Sequence, residues 1–269
     1  MTNFPKGFAL HVGNVGIKDN TNDLMVPAAD SNSAVAGVFT QSRFAGPNIE
    51  ISKQNIATGS AKAVAIISKN ANVATGEIGR SNAEEITELV AATVNAEPSE
   101  IILGSTGVIG VQYPMDKIRD YLSQLKSPFS GREAEAAAAA IMTTDTHPKV
   151  ASASVGPATI VGIAKGVGMI EPNMATMIAV ITTDAEINSD RLDEIFRRIV
   201  DKTFNALSVD TDTSTSDMVV MFATGDKKFA MTKDNREQFQ DLLIDACQKL
   251  AIQIARDGEG ATKLIEVQV

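Results

Sequence analysis

A threonine that follows a small residue and a turn is the first candidate for chemistry in this sequence. Residues 165–177 read Lys-Gly-Val-Gly-Met-Ile-Glu-Pro-Asn-Met-Ala-Thr-Met. A Thr hydroxyl is a weak nucleophile without a neighbouring base, and cleavage of the Ala175–Thr176 bond would supply that base as a new α-amine. An α-amine titrates near ~7.7–8.0 and can accept a proton at neutral pH. Spacing alone favours the alternative, a glycine-rich turn entering a buried strand.

Three other segments carry polar residues at the ends of predicted elements. Ser105-Thr106-Gly107 follows a buried strand, and such a turn can present an N–H and a hydroxyl to one point, as an oxyanion requires. Glu259 lies on a loop predicted between the last helix and strand. Residues 209–217 contain three carboxylates but lack the glycine and glutamate positions of a calcium loop, so a hydroxyl-rich structural turn is expected. Taken singly, each segment is also explained as an ordinary turn or cap.

Composition narrows the class of protein. The chain has 269 residues, a net charge of −9 and no Trp, which argues against nucleic acid and anionic membranes as partners. Its single cysteine, Cys247, fits a reducing compartment and is expected to be buried. With two histidines and one cysteine, no zinc site is expected. The first residues carry no apolar leader, so the sequence predicts a soluble, cytoplasmic protein.

The elements that must position these residues alternate between strands and helices. The hydrophobic pattern predicts strands over 8–17, 33–40, 63–68, 100–103, 158–164, 177–183, 218–223 and 262–269. It predicts helices from the Ser81 cap to 96, and over 114–125, 133–142, 190–204 and 235–256. The spacing between predicted strands is too irregular for a series of repeated βαβ units, so the expected class is a layered, mixed α/β fold.

Five motifs occur in order along almost the whole chain. They are Ser-Thr-Gly-Val-Ile-Gly at 105–110, Met-Thr-Thr-Asp-Thr at 142–146, the 165–177 segment, Phe-Asn at 204–205 with Asp-Thr-Ser-Thr at 212–215, and Asp-Gly-Glu-Gly-Ala-Thr-Lys at 257–263. This series resembles the ornithine acetyltransferase family, also called glutamate N-acetyltransferases. The Met-Ala-Thr-Met segment is its most specific part. The resemblance implies the layered α/β fold of that family.

The resemblance also implies an activity and a set of site residues. The precursor would cleave itself at Ala175–Thr176 and then carry an acetyl group from N2-acetyl-L-ornithine to L-glutamate, by a ping-pong mechanism through an acetyl-threonine ester. No cofactor is implied, although acetyl-CoA is a conceivable second acetyl donor. The implied site comprises Thr176 as nucleophile, Thr106 and Gly107 as the oxyanion hole, and Thr143, Lys165, Thr176 and Glu259 as substrate contacts.

The family pattern further predicts two fragments and an assembly. Residues 1–175 would form an α-fragment and residues 176–269 a β-fragment, associated as two α and two β chains. Family members continue past the 257–263 motif, so the β-fragment is expected to be short at its C-terminus.

The chain departs from the usual family pattern at 67–72 and 210–212. These two segments, together with 42–47, are similar to the branch of the family found in clavulanic-acid gene clusters. Two other hypotheses remain at this point. One is a related N-terminal-nucleophile aminopeptidase or amidase, and the other is an inactive, truncated homologue.

Overall fold

An eight-stranded sheet lies at the centre of the fold. The structure is a computed structural model and describes residues 1–171, 177–227 and 233–267. The strands are Phe8–Gly13 (β1), Leu24–Phe39 (β2), Ser60–Asn70 (β3), Ile101–Val108 (β4), Lys149–Val155 (β5), Ala158–Lys165 (β6), Ile178–Ala185 (β7) and Met218–Lys227 (β8). The helices are Pro47–Ile56 (α1), Gly76–Val94 (α2), Met115–Gln124 (α3), Ala134–Ile141 (α4), Ser189–Lys202 (α5) and Lys233–Arg256 (α6).

The sheet is mixed, with strand order β4-β3-β2-β8-β7-β6-β5 and β1 beside β2. The β3–β4 and β7–β8 pairs are parallel, and the other pairs are antiparallel. A parallel pair needs a crossover connection, which α2 and α5 provide. Every residue of β7 is buried, because this strand lies inside the sheet and is covered on both faces.

The long strand β2 divides the sheet into two halves. Its first part pairs with β1 and β3 and its last part with β8, with a register shift between Ala28 and Ser33. Apolar side chains of both halves form one inner core with the alanine-rich α4, whose small side chains allow close packing. The ends of β4 and β6, which belong to different halves of the sheet, lie within hydrogen-bonding distance of each other.

Helices cover the outer faces of both halves. Helices α2 and α3 pack on β3 and β4, while α5 and α6 pack on β5 to β8. Helix α5 shows the predicted spacing, with Leu192, Ile195, Phe196 and Ile199 all buried. The Asn188 side chain caps it by accepting the Arg191 N–H at 2.9 Å. The layered α/β fold expected from the sequence is therefore confirmed.

The chain segments on either side of Ala175–Thr176 share this sheet. Strands β7 and β8 follow the predicted cleavage point, and they lie between β2 and β6, which precede it. The two segments therefore contribute to one hydrophobic core rather than to two separately packed domains. Cleavage itself stays a prediction.

Two local predictions are wrong. Ser81 lies inside α2, which begins at Gly76, five residues before the expected cap. The glycine at position 79 does not break the helix. A Cβ there would lie 1.8 Å from the Thr75 hydroxyl, so the absence of a side chain lets Thr75 pack against the first turn of α2. The predicted last strand is also wrong over Thr262–Val267, because these residues pair with no described strand and Ile265 is 81% exposed. Residues 268–269 lie outside the described residues.

Three other features differ from the predicted elements or agree with predicted properties of the chain. Helix α1 and strand β5 have no counterpart among the predicted elements, and β2 begins well before the predicted strand. Cys247 is buried as expected, and burial raises the pKa of its thiol. Among the described helices, none combines the length and apolar character needed to cross a membrane.

Candidate functional site

The Thr106–Gly107 pair lies at the end of β4. The sequence predicted a turn here, but the strand continues to Val108 because its parallel pairing with β3 continues through Lys69 and Asn70. Thr106 is 6% exposed, and Gly107 has a φ of +136°. A Cβ at Gly107 would lie 2.2 Å from the carbonyl carbon of Lys69. Only glycine fits this position, which puts the backbone of β4 in close contact with β3.

Lys165 is the last residue of β6 and is buried, with 4% of its surface exposed. Its ammonium donates a hydrogen bond to the Thr106 hydroxyl at 3.0 Å. Burial lowers the pKa of Lys165, while the carboxylates of Asp145 and Asp217 oppose this shift and favour the charged form. The arrangement provides a cation, in a largely dry environment, next to the candidate oxyanion residues.

Thr143 follows α4 and is positioned by a carboxylate. Its backbone N–H donates to Asp145 Oδ2 at 3.1 Å, and the N–H of Gly166 donates to Asp145 Oδ1 at 2.7 Å. Asp145 therefore holds the segment after α4 against the segment after β6. Burial alone would raise the pKa of Asp145, but nearby Lys165, the Gly166 N–H and Lys149 outweigh it and hold this pKa below its ordinary value.

Glu259 lies just beyond the end of α6, in an exposed loop as expected. Its backbone N–H donates to the Val167 carbonyl at 2.6 Å, which attaches the loop to the segment following β6. A Cβ at Gly168 would lie 2.5 Å from the Glu259 carboxylate and 3.1 Å from that of Asp210. The absence of a side chain at Gly168 leaves room for two carboxylates at this point.

These residues surround one cavity of about 710 Å³. All five described residues of the predicted site line it: Thr106, Gly107, Thr143, Lys165 and Glu259. The remaining wall is formed by residues that the sequence did not assign to the site, namely Ile17, Lys18, Lys69, Ala71, Val108, Ile109, Thr144, Val167, Gly168, Met169, Asp210, Asp212, Ser214, Thr215 and Ser216. The cavity has a size typical of small-molecule sites and carries both charge signs on its walls.

The sequence matches the ArgJ family over residues 9–269. The chain belongs to the ArgJ family. It is 49% identical over 266 residues to a Streptomyces clavuligerus protein named glutamate N-acetyltransferase, covering 98% of the present chain and 67% of that protein. It is also 49% identical over 265 residues to an arginine biosynthesis bifunctional protein ArgJ of a Nostoc species, with the same coverage. An enzyme of the acyltransferase class is therefore confirmed.

The fold is similar to that of a solved ArgJ relative. The crystal structure of ornithine acetyltransferase from Mycobacterium tuberculosis, described as a complex with ornithine, aligns with a TM-score of 0.55 and 29% identity. The alignment covers 64% of the present chain and 93% of the solved chain. The present chain spans about two thirds of the length of its curated relatives.

The two residues at the predicted scissile bond, Ala175 and Thr176, lie outside the described residues. The next residue, Met177, is buried, and its N–H donates to Asp217 Oδ1 at 2.8 Å. Ile178 then pairs with Lys165 across β7 and β6. The chain therefore enters β7 directly beside the end of β6, where the Lys165 ammonium contacts Thr106.

Sequence reasoning missed the charged residues behind the cavity wall. Asp145 and Asp257 belong to the motifs at 142–146 and 257–263, but the sequence assigned them no role. Lys149 is the first residue of β5, a strand that was not predicted. Their signal is weak in sequence, since only the four-residue spacing of Asp145 and Lys149 suggests a pair. The expectation that 209–217 is only a structural turn is incomplete, because Ser214 to Ser216 line the cavity.

The Asp210 carboxylate adds a further constraint on the segment before the predicted cleavage point. It accepts the N–H of Met169 at 2.5 Å and that of Ile170 at 3.2 Å. Asp210 itself has a φ of +66°, an uncommon conformation for a residue with a side chain. In the described part of the chain, no cluster of three or more His, Cys, Asp or Glu side chains is arranged to hold a metal ion.

Proposed function

We propose that this chain is a self-processing acetyltransferase that moves an acetyl group from N2-acetyl-L-ornithine to L-glutamate. The main support for the proposal is one cavity whose lining brings together residues that are far apart in sequence, namely Thr106, Gly107, Thr143, Lys165 and Glu259. Membership of the ArgJ family supports the choice of reaction, and the relatives named above supply the names of the acetyl acceptor and of ornithine.

The charges of the cavity suit amino-acid substrates. The Lys165 ammonium is a partner for a substrate carboxylate, and Glu259 is a partner for a substrate ammonium. Because Lys165 is buried, its interaction with a carboxylate is weakly screened by solvent. Glu259 lines the same cavity and is more exposed than Lys165, so its interaction with a substrate ammonium would be more screened by solvent.

Thr176 would be the nucleophile in the first half of the reaction and the acetyl carrier from which the second half starts. Self-cleavage at Ala175–Thr176 frees its α-amine, which takes the hydroxyl proton as the oxygen attacks the acetyl carbonyl of acetylornithine. The amide C–N bond then breaks, the ornithine amine leaves with that proton, and the acetyl group stays on Thr176 as an ester. The neutral amine of glutamate then attacks this ester, the bond between the acetyl carbon and the Thr176 oxygen breaks, and a proton from the glutamate amine passes through the α-amine to that oxygen, giving acetylglutamate and free Thr176.

The Thr106–Gly107 pair would stabilise the oxyanion of each tetrahedral intermediate. The strand end is rigid, because Gly107 contacts the β3 backbone and Thr106 is held by Lys165. Rigid donors that need no reorganisation during the reaction are the most effective, and one such donor contributes ~2.7–4 kcal/mol to transition-state stabilisation. The nearby Lys165 ammonium would add to the same stabilisation.

The proposal includes the state of the processed enzyme. The fragments 1–175 and 176–269 would stay associated, which is supported by the position of β7 and β8 between strands of the first fragment. We propose a cytoplasmic assembly of two α and two β fragments that needs no cofactor, with acetyl-CoA as a second acetyl donor to be tested.

Denaturing electrophoresis of the purified protein tests the self-cleavage. The expected result is a pair of fragments of 175 and 94 residues for the wild type and an intact chain for Thr176→Ala. Fragments of the same size in both proteins would overturn the proposal. Hydrolysis of peptide amides without acetyl transfer would support an aminopeptidase instead, and an uncleaved, folded wild type would indicate an inactive homologue.

A further inference from the structure

Lys149 is a fully buried lysine that joins carboxylates from two distant segments. Its Nζ donates to Asp145 Oδ1 at 2.7 Å and to Asp257 Oδ2 at 2.6 Å. The side chains of Lys149, Asp145 and Asp257 are 0%, 0% and 3% exposed. None of the three lines the cavity, so the ion network lies behind its wall.

One arm of the network holds two cavity residues in place. Asp145 accepts the N–H groups of Thr143 and of Gly166, the residue that follows Lys165. A shift of the Asp145 carboxylate would therefore displace the Thr143 backbone and the end of β6 together. Gly166 directly follows Lys165, so this attachment lies next to the residue whose ammonium contacts Thr106.

The other arm holds the loop that carries Glu259. Asp257 accepts the N–H of Thr146 at 3.0 Å and also accepts the Thr146 hydroxyl. Glu259 follows two residues later, and its N–H is bonded to the Val167 carbonyl. Lys149 is thus the one cation, among the ion pairs of the described residues, that connects both substrate-facing segments.

Burial of three charges is a costly way to stabilise a fold. The desolvation of buried ion pairs offsets most of their attraction, and apolar residues of similar volume are often as stabilising or more so. What an apolar side chain cannot do is fix two carboxylates, and the backbone N–H groups that they bind, in one arrangement. This difference favours a role in geometry over a role in net stability.

We propose that Lys149 is a positioning residue that fixes the Lys165 and Glu259 sides of the cavity relative to each other. The inference rests on the proposed function only in treating the cavity as the amino-acid site. Two lysine–aspartate pairs among the described residues have four-residue spacing and a distance of 2.7 Å. They provide the test, because Lys149–Asp145 is buried and Lys249–Asp245 is exposed. Lys249→Met is therefore the matched control for Lys149→Met.

Amide hydrogen exchange and steady-state kinetics are measured on both variants. In Lys149→Met, we expect exchange at Thr143, Thr146 and Gly166 to be at least about tenfold faster, with unchanged exchange in the strands β7 and β8. The KM for acetylornithine should rise roughly ten- to hundredfold, with a smaller change in kcat, because the binding groups are displaced. Lys149→Arg should recover part of the loss, and Lys249→Met should match the wild type.

A second variant keeps the inference testable if Lys149→Met does not fold. Asp257→Asn leaves the Lys149–Asp145 pair intact and should accelerate exchange at Thr146 and Glu259 but not at Thr143. Faster exchange throughout the sheet with an unchanged KM would overturn the inference, as would unchanged exchange at these amides. The two proposals can fail separately. If the wild type transfers no acetyl group but Lys149→Met shows the local increase in exchange, the proposed function is refuted and the positioning role is supported.

Discussion

The Lys165 ammonium lies 3.0 Å from the Thr106 hydroxyl, although β6 and β4 are separated in the sheet by four other strands. Strands of both halves of the sheet pack around one inner core, and the two strand ends meet beside it. The contact joins the cation proposed to bind a substrate carboxylate to the residue proposed to bind the oxyanion. Binding and catalysis would therefore share one hydrogen-bonded pair.

Loss of the Lys165 cation should weaken catalysis more than loss of another cavity lysine. In Lys165→Met, we expect kcat/KM for acetylornithine to fall roughly ten- to hundredfold, since hydrogen bonds to charged groups contribute about 1.5–3 kcal/mol. Lys18→Met is the control, because Lys18 lines the same cavity but is exposed and screened by solvent. Initial rates on variants shown to be folded by circular dichroism check this, and equal losses in both would contradict it.

Gly107→Ala should destabilise the protein by roughly 2–5 kcal/mol, because the backbone conformation is strained for alanine and the added Cβ overlaps Lys69. Gly110→Ala is the matched control, since Gly110 also has a positive φ, of +80°, but has no atom within 4 Å of the added Cβ. It should cost only about 1–2 kcal/mol. Urea unfolding measures both, and the account fails if the two substitutions cost the same.

Elements with a strong apolar pattern could be predicted from sequence because burial of their own side chains determines them, as in the helical spacing of α5 and the continuous apolar run that begins β8. Residues 262–267 have the alternation of a strand but pair with no described strand, because alternation indicates which side chains share a face and not whether a sheet edge lies within reach. Thr106 and Lys165 were individually recognised from the family motifs. Their contact was not predictable, since it depends on how the two halves of the sheet pack together.

Acid should destabilise the protein through the ion network. Burial alone would raise the pKa of Asp145 and of Asp257, but hydrogen bonds and nearby cations outweigh it and lower both pKa values below the ordinary 3.8. Between the folded-state pKa and the ordinary pKa of these groups, the unfolded chain therefore binds more protons than the folded chain. The contribution of Asp145 and Asp257 to stability is complete above pH 3.8 and is lost as the pH falls through their folded-state pKa values.

Asp257→Asn removes one of these titrating groups and isolates its contribution. The slope of the unfolding free energy against pH in acid should decrease, by at most about 1.4 kcal/mol per pH unit. Asp245→Asn, in the exposed pair with Lys249, is the control and should change the slope less, because solvent screens that pair. Urea unfolding at several acidic pH values gives both slopes, and equal changes would contradict the role assigned to the network.

The intact mass of the purified protein after incubation with N2-acetyl-L-ornithine reports self-cleavage and acetylation of Thr176 in one measurement. We predict two polypeptides of 175 and 94 residues, with the mass of one acetyl group added to the shorter one and removed again by L-glutamate. Thr176→Ala should give a single chain of 269 residues without added mass. An acetyl group on the longer fragment, or an unmodified wild type that remains whole, would contradict the account.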